Sequence, residues 1–161
     1  GEVLGLADSF GLAFYKSQEA ANMLLPSEGT VLLTVNKNDR PEALNVARDL
    51  KKLGFKILST KGVHAFLMEN GIETEAVNKV YQGRPNIIDK ITDNAIHFII
   101  NTPSGPRSEH DDSYIRKAAI KYKIPYITTM SAASATVKGI EARKKGNGAV
   151  KSLQEYHADI K

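Results

Sequence analysis

Short apolar runs alternate with longer amphipathic stretches along most of this chain, and that alternation restricts its fold more than any other feature. From residue 30 onward, a run at Thr30–Val35 precedes a helix-patterned stretch at Pro41–Leu53, and a run at Phe55–Leu58 precedes Val63–Asn70. The alternation continues with Ala76–Val77, a helix near Asn86–Thr92, a run at Ile96–Ile100, a helix near Asp112–Lys123, Tyr126–Ile127, and a helix from about Ser131 to Lys144. Strands this short, separated by helices, pair in parallel through crossovers that place helices on both faces of the sheet. The expectation is an α/β fold of three layers, α/β/α, around a five-stranded parallel sheet. The stretch 112–123 carries the helical signature: Ile115, Ala118, Ala119 and Tyr122 share one face, while Arg116, Lys117, Lys121 and Lys123 point elsewhere. Pro125 then bars the helix from continuing into the last strand.

Ahead of this region, Phe10–Leu24 repeats apolar residues at helical spacing behind an Asp8-Ser9 start suited to capping. It ends at Pro26-Ser27-Glu28-Gly29, a turn-like boundary. The tail Leu153–His157 is a further short element of undetermined type.

A chain of 161 residues suits one ordinary domain able to bury a core without staples. It has no Cys, which removes disulfides, Cys-based zinc sites and thiol nucleophiles. No apolar run approaches the roughly 20 residues of a membrane helix, and the N-terminus lacks the layout of a signal peptide. A cytoplasmic protein with no membrane partner is expected. Charge is uneven: residues 1–30 hold one Lys against four acids, so residues 31–161 hold 21 Lys and Arg against 14 acids, a balance of +7. A basic body points to anionic partners, either nucleic acid or phosphorylated small molecules.

Each strand candidate ends in small polar residues: Asn36, Ser59-Thr60, Asn78-Lys79, Asn101-Thr102 and Thr128-Thr129. In a parallel sheet these ends gather on one edge, where ligands of open α/β sheets bind and arriving helix N-termini offer N–H groups to an anion. Arg40, Lys61, Lys79 and Arg107 fall in the same loops. Ser, Thr and Asn are also ordinary helix caps, and for any single residue capping is the simpler account. Five such ends with several cations beside them favour a phosphate pocket for the set.

Other candidates have plainer explanations. His64, His97, His110 and His157 show no metal-binding spacing, so no metal site is expected. Glu109-His110-Asp111-Asp112 resembles an acid–base cluster, yet acids just ahead of a helix complement its dipole. Arg143-Lys144-Lys145 has the converse explanation at a helix C-terminus. Neither GxxxxGK[ST] nor GxGxxG occurs. Aromatics make up 7% of the chain with no Trp, and the strands read as buried on both faces, so the stacking surface of a nucleic-acid binder is not expected.

Certain residues carry a family resemblance. Gly1-Glu-Val-Leu-Gly5, followed by Phe10 and Ala13-Phe14, resembles the end of the C-terminal ATP-grasp half of the carbamoyl-phosphate synthase large subunit. Val77-Asn-Lys-Val80, Gly83-Arg-Pro85, Ile99-Ile-Asn-Thr-Pro-Ser-Gly105, Ile115-Arg116, Tyr122-Lys123 and Leu153-Gln-Glu-Tyr-His157 resemble the C-terminal regulatory domain of that subunit. The resemblance implies residues 1–26 as a remnant of the preceding synthetase domain and 27–161 as a methylglyoxal-synthase-like allosteric domain. The parent enzyme would be a ligase that makes carbamoyl phosphate for arginine and pyrimidine synthesis. It takes ammonia from a glutaminase small subunit and uses ATP with Mg or Mn, with no cofactor in this stretch. Family effectors are UMP and IMP in bacteria, with ornithine acting at the boundary and N-acetylglutamate in animal urea-cycle relatives.

By the same resemblance, the effector phosphate site falls on Arg40, Thr60, Lys61 and Lys79, with Asn101, Thr102 and Ser104 nearby. The chain departs from the family at Val63, which removes a threonine hydroxyl, and at Pro103, which removes an N–H donor. The fold also hosts methylglyoxal synthase, whose carboxylate base follows a Gly-Gly pair. Here that loop reads Gly83-Arg84-Pro85, so His110 alone leaves an incomplete site and no catalytic residue is expected in this stretch. An alternative role is a homo-oligomerisation module with a vestigial pocket.

Overall fold

The computed structural model describes residues 2–102, 106–146, 150–158 and 160, and for 106–110 the backbone alone. The elements run α1 (Phe10–Ala20), β1 (Thr30–Val35), α2 (Arg40–Lys52), β2 (Lys56–Thr60), α3 (Lys61–Glu69) and β3 (Glu75–Val77). After a 3-10 turn at Val80–Gln82 come α4 (Ile87–Thr92), β4 (Phe98–Thr102), α5 (Pro106–Lys121), β5 (Tyr126–Ile127), α6 (Met130–Lys144) and α7 (Leu153–Ala158). The five strands form one sheet in the order β3-β2-β1-β4-β5, and every pairing is parallel. The α/β/α arrangement expected from the alternation is present.

The strands alternate their apolar side chains between two cores, as the two-residue period of a strand requires. Leu33, Ile57 and Ile100 face α2, α3 and α6, where they meet Ala47, Leu50, Leu67 and Ile140. Leu32, Leu58 and Ile99 face α4 and α5, where they meet Ile87, Ile91, Ile115 and Ala119. Val31, Leu32 and Leu33 of β1 are wholly buried, as suits the central strand of a doubly covered sheet.

Three boundaries differ from the sequence expectation in ways that matter for function. Ser59-Thr60 and Asn101-Thr102 are the last residues of β2 and β4, paired in the sheet rather than trailing it. Helix α5 begins at Pro106, six residues before the expected start at Asp112. Proline is well tolerated in a first helical turn, but no apolar residue precedes Tyr114 in this helix to reveal the spacing. Asp111 and Asp112 therefore lie in the second turn of α5 instead of ahead of it, which removes the dipole-capping explanation for them.

Helix α1 lies against α6 through facing glycines. A Cβ added to Gly11 would come within 2.7 Å of Lys138 O, and one added to Gly139 within 3.2 Å of Gly11 O. The chain ends also meet: Leu6 O accepts from Lys16 Nζ at 3.1 Å and from the Tyr156 hydroxyl of α7 at 2.9 Å.

Candidate functional site

The sheet order places a topological switch point between β1 and β4, since the chain moves outward to β2 and β3 on one side and to β5 on the other. Crevices at such points, outside the carboxyl ends of the strands, are the ligand sites of open α/β sheets. A cleft of about 410 Å³ opens there. Its walls come from the end of β1 (Thr34, Asn36), the starts of α2 and α3 (Arg40, Gly62, Val63), Thr60, Lys79, the end of β4 (Asn101, Thr102) and α5 (Asp111, Asp112).

The floor is a hydrogen-bonded lattice. Asn36 Oδ1 accepts from the N–H groups of Asn38 and Asp39 at 2.9 and 3.2 Å, an Asx turn that ends β1 and starts α2. Its amide nitrogen donates to Asp39 Oδ2 at 2.6 Å and to Thr102 Oγ1 at 3.3 Å, tying β1 to β4. Asn101 Oδ1 accepts from the Thr34 hydroxyl, and Asn101 Nδ2 donates to Asp112 Oδ1 and to the Tyr126 oxygen, both at 2.8 Å. The Tyr126 hydroxyl in turn donates to Asp112 Oδ1, and Arg116 holds Asp112 Oδ2 at 2.9 Å. Burial, reinforced by the Asp112 carboxylate, pushes the Tyr126 phenol up to about 12.

Above this floor stand polar and cationic groups that no carboxylate among the described residues neutralises. Thr60 occupies the N-cap position of α3, yet its hydroxyl makes no capping hydrogen bond. Arg40 Nε is buried without a hydrogen-bond partner, and no carboxylate forms an ion pair with Arg40 or Lys79 among the described residues. Arg40 instead lies over the ring of Phe66, with its guanidinium carbon 5.6 Å from the centroid, and close beside Gly62. Val63 contributes an apolar, buried side chain to the wall.

The structure thus brings together Arg40, Thr60, Lys79, Asn101 and Thr102. Lys61 is exposed in the first turn of α3 and does not line the cleft. Ser104 and Pro103 lie outside the described residues, as do the side chains of Arg107, Glu109 and His110. Thr129, at the end of the fifth strand, caps α6 by accepting from Ala132 N at 3.2 Å and takes no part in the cleft. Sequence reasoning set Asp111 and Asp112 aside as residues that complement a helix dipole, and it missed Tyr126. The Asp112/Arg116 pair, four residues apart, already fell within the expected helix, but nothing in it pointed to Tyr126. Among the described residues no cluster of His, Asp and Glu is arranged to hold a metal ion, and no helix is long and apolar enough to cross a membrane.

Residues 42–128 match the model of the MGS-like domain family. Over 160 residues the chain is 47% identical to the carbamoyl phosphate synthase large chain of Archaeoglobus fulgidus, covering 99% of this chain and 15% of that protein. It is 44% identical over 162 residues to the carbamoyl phosphate synthase large chain, C-terminal section, of Aquifex aeolicus, covering 98% of this chain and 30% of that one. The chain therefore spans less than a third of either relative's length. Among solved structures, methylglyoxal synthase from Elizabethkingia anophelis superposes with a TM-score of 0.56 at 15% identity over 71% of this chain and 79% of its own. ForH does so with a TM-score of 0.53 at 17% identity, over 76% of this chain and 83% of its own. These two likenesses are of fold.

Proposed function

The chain belongs to the MGS-like domain family, and we propose that it is the allosteric module of a glutamine-dependent carbamoyl-phosphate synthase, in keeping with its identity of 47% and 44% to large chains of that enzyme. A phosphorylated effector of the UMP or IMP type docks across the carboxyl ends of β1, β2 and β4. The observation that carries this reading is the convergence of Arg40, Lys79 and the starts of α2 and α3 on one cleft with no carboxylate paired to either cation among the described residues. Helix starts and unpaired cations together suit a phosphate.

The second wall of the cleft is the α5 side, lined by Asp111 and by Asp112, whose carboxylate is held by Arg116, Asn101 and Tyr126. An effector with different affinities for two arrangements of the parent enzyme shifts carbamoyl phosphate synthesis by its coupling energy, typically about 1–3 kcal/mol or 5- to 150-fold. This stretch supplies modulation. Ligation, the ATP and metal cofactors and the glutaminase partner belong to the rest of the enzyme, which serves arginine and pyrimidine synthesis in the cytoplasm.

Titration calorimetry with UMP and IMP tests the proposal: saturable binding of at least one is expected, and absence of both at millimolar concentration would remove the nucleotide reading. A second surface supports an assembly role beside the regulatory one. Leu4, Phe10 and Leu153 are 76%, 66% and 63% exposed near the joined chain ends. We assign it to contact with the synthetase domain to which residues 1–26 belong.

A further inference from the structure

We propose that the cavity between α1 and α6 is a second ligand site, separate from the strand-end cleft, and that it takes a small carboxylate carrying an apolar body. The cavity measures about 330 Å³. Tyr15 of α1, Leu25 and Pro26 of the linker to β1, and Ile140, Arg143 and Lys144 of α6 line it. All of them lie outside residues 42–128, so the site belongs to what this chain adds around the MGS-like match. Leu25 and Ile140, 5% and 1% exposed, give it an apolar base, while Arg143 and Lys144 bring two exposed cations to it.

The C-terminal end of α6 presents consecutive cations that are used differently. Lys145 is paired with Glu141 at 2.7 Å. Arg143 and Lys144 line the cavity and form no ion pair with a carboxylate among the described residues. Neutral groups hold them instead: the Arg143 guanidinium carbon stands 6.0 Å from the centroid of the Tyr15 ring, while Lys144 Nζ stands 5.7 Å from that of Phe55 and donates to Leu53 O at 2.6 Å. A helix C-terminus carries about half a negative charge, so its dipole balances only part of the two cations beside it. The surplus suits a singly charged anion better than the doubly charged phosphate monoester that helix starts accommodate. A carboxylate reached by both cations, with its carbon chain on Leu25 and Ile140, satisfies the charge and the apolar base together. Held from both sides, such a ligand joins α1 to the sheet domain.

The test is a proton–nitrogen NMR titration of the protein with isovalerate, isovaleramide and acetate, in the wild type, in Arg143→Gln and in the double variant Arg143→Gln/Lys144→Gln. Isovalerate should shift the amides of Leu25, Ser27 and the last turn of α6 saturably. Isovaleramide, which lacks the charge, should bind about 5-fold more weakly or worse, and acetate, which lacks the body, about 10-fold more weakly or worse. The double variant should lose roughly 5- to 30-fold in isovalerate affinity, the worth of two solvent-exposed ion pairs. Arg143→Gln alone, which keeps the Lys144 bond to Leu53 O and so guards against a folding defect, should lose about 5-fold. Absence of saturable shifts, equal affinity for isovalerate and its amide, unchanged affinity in both variants, or shifts at Thr60, Lys79, Asn101 and Thr102 instead would each overturn the site. None of these results touches the effector reading, because none of the residues lining this cavity lines the strand-end cleft.

Discussion

The guanidinium of Arg40 rests on the ring of Phe66, 5.6 Å from its centroid, with Nε buried and unbonded. An arginine held by an aromatic face is positioned without being neutralised, and in a cleft this is how a cation stays available to an incoming anion. The pair joins α2 to α3, the two helices whose starts face the same space.

Arg40→Ala should weaken nucleotide binding by about 1.5–3 kcal/mol, the worth of a charge-assisted hydrogen bond, and Lys79→Ala by a similar amount. Phe66→Leu should cost less, since it removes the support and leaves the charge. Calorimetric affinities that are unchanged in both cation variants would place the phosphate elsewhere.

Val63→Thr tests the departure from the family pattern. It should raise affinity for the phosphorylated effector by supplying a hydroxyl to the wall. It should also lower stability by about 1–3 kcal/mol, because Val63 is 3% exposed and packed in the larger core. Parallel calorimetry and urea melts separate the two effects, and a loss in both would show that the side chain faces the core alone.

Tyr126 imposes an alkaline limit. Its phenol ionises at 10.0 ordinarily and at about 12 in the fold, so between those values the folded state keeps a proton that the unfolded chain has lost. The stability it contributes is fully present below pH 10 and is lost as the pH rises to about 12. Urea unfolding should show a steeper decline over that window in the wild type than in Tyr126→Phe, and coincident curves would refute the assignment.

Gly11→Ala should lower the melting temperature because a new Cβ meets Lys138 O at 2.7 Å, a backbone atom that cannot turn aside. The cost of such overpacking is about 1–3 kcal/mol. Gly139→Ala, at 3.2 Å from Gly11 O, should be milder. Equal melting temperatures for wild type and Gly11→Ala would mean that α1 does not sit on α6.

The layered fold was legible because strand and helix announce themselves by different apolar periods, and here the two alternate cleanly from Thr30 to Lys144. The cleft's cationic side was legible too: Arg40 and Lys79 sit where strand-end loops must gather. Capping and binding could not be separated by sequence, since both use the same residue types. Only geometry distinguishes Thr129, whose hydroxyl caps α6, from Thr60, whose hydroxyl does not cap α3. The Asp112–Tyr126 contact joins residues on α5 and β5 and leaves no local trace, so no reading of periodicity could have found it.

The cleft is assembled from segments near residues 36, 60, 79, 101 and 112, each delivered by a different strand or helix. No short piece of the chain contains it, and denaturing the sheet disperses it entirely. Anything that fills the cleft is consequently a thermodynamic partner of folding itself: at a hundredfold excess over its dissociation constant it adds about 2.7 kcal/mol to the stability of the native state. The protein's melting temperature is thereby a meter of how fully the cleft is occupied, and a library of phosphorylated metabolites can be ranked against it by heating alone.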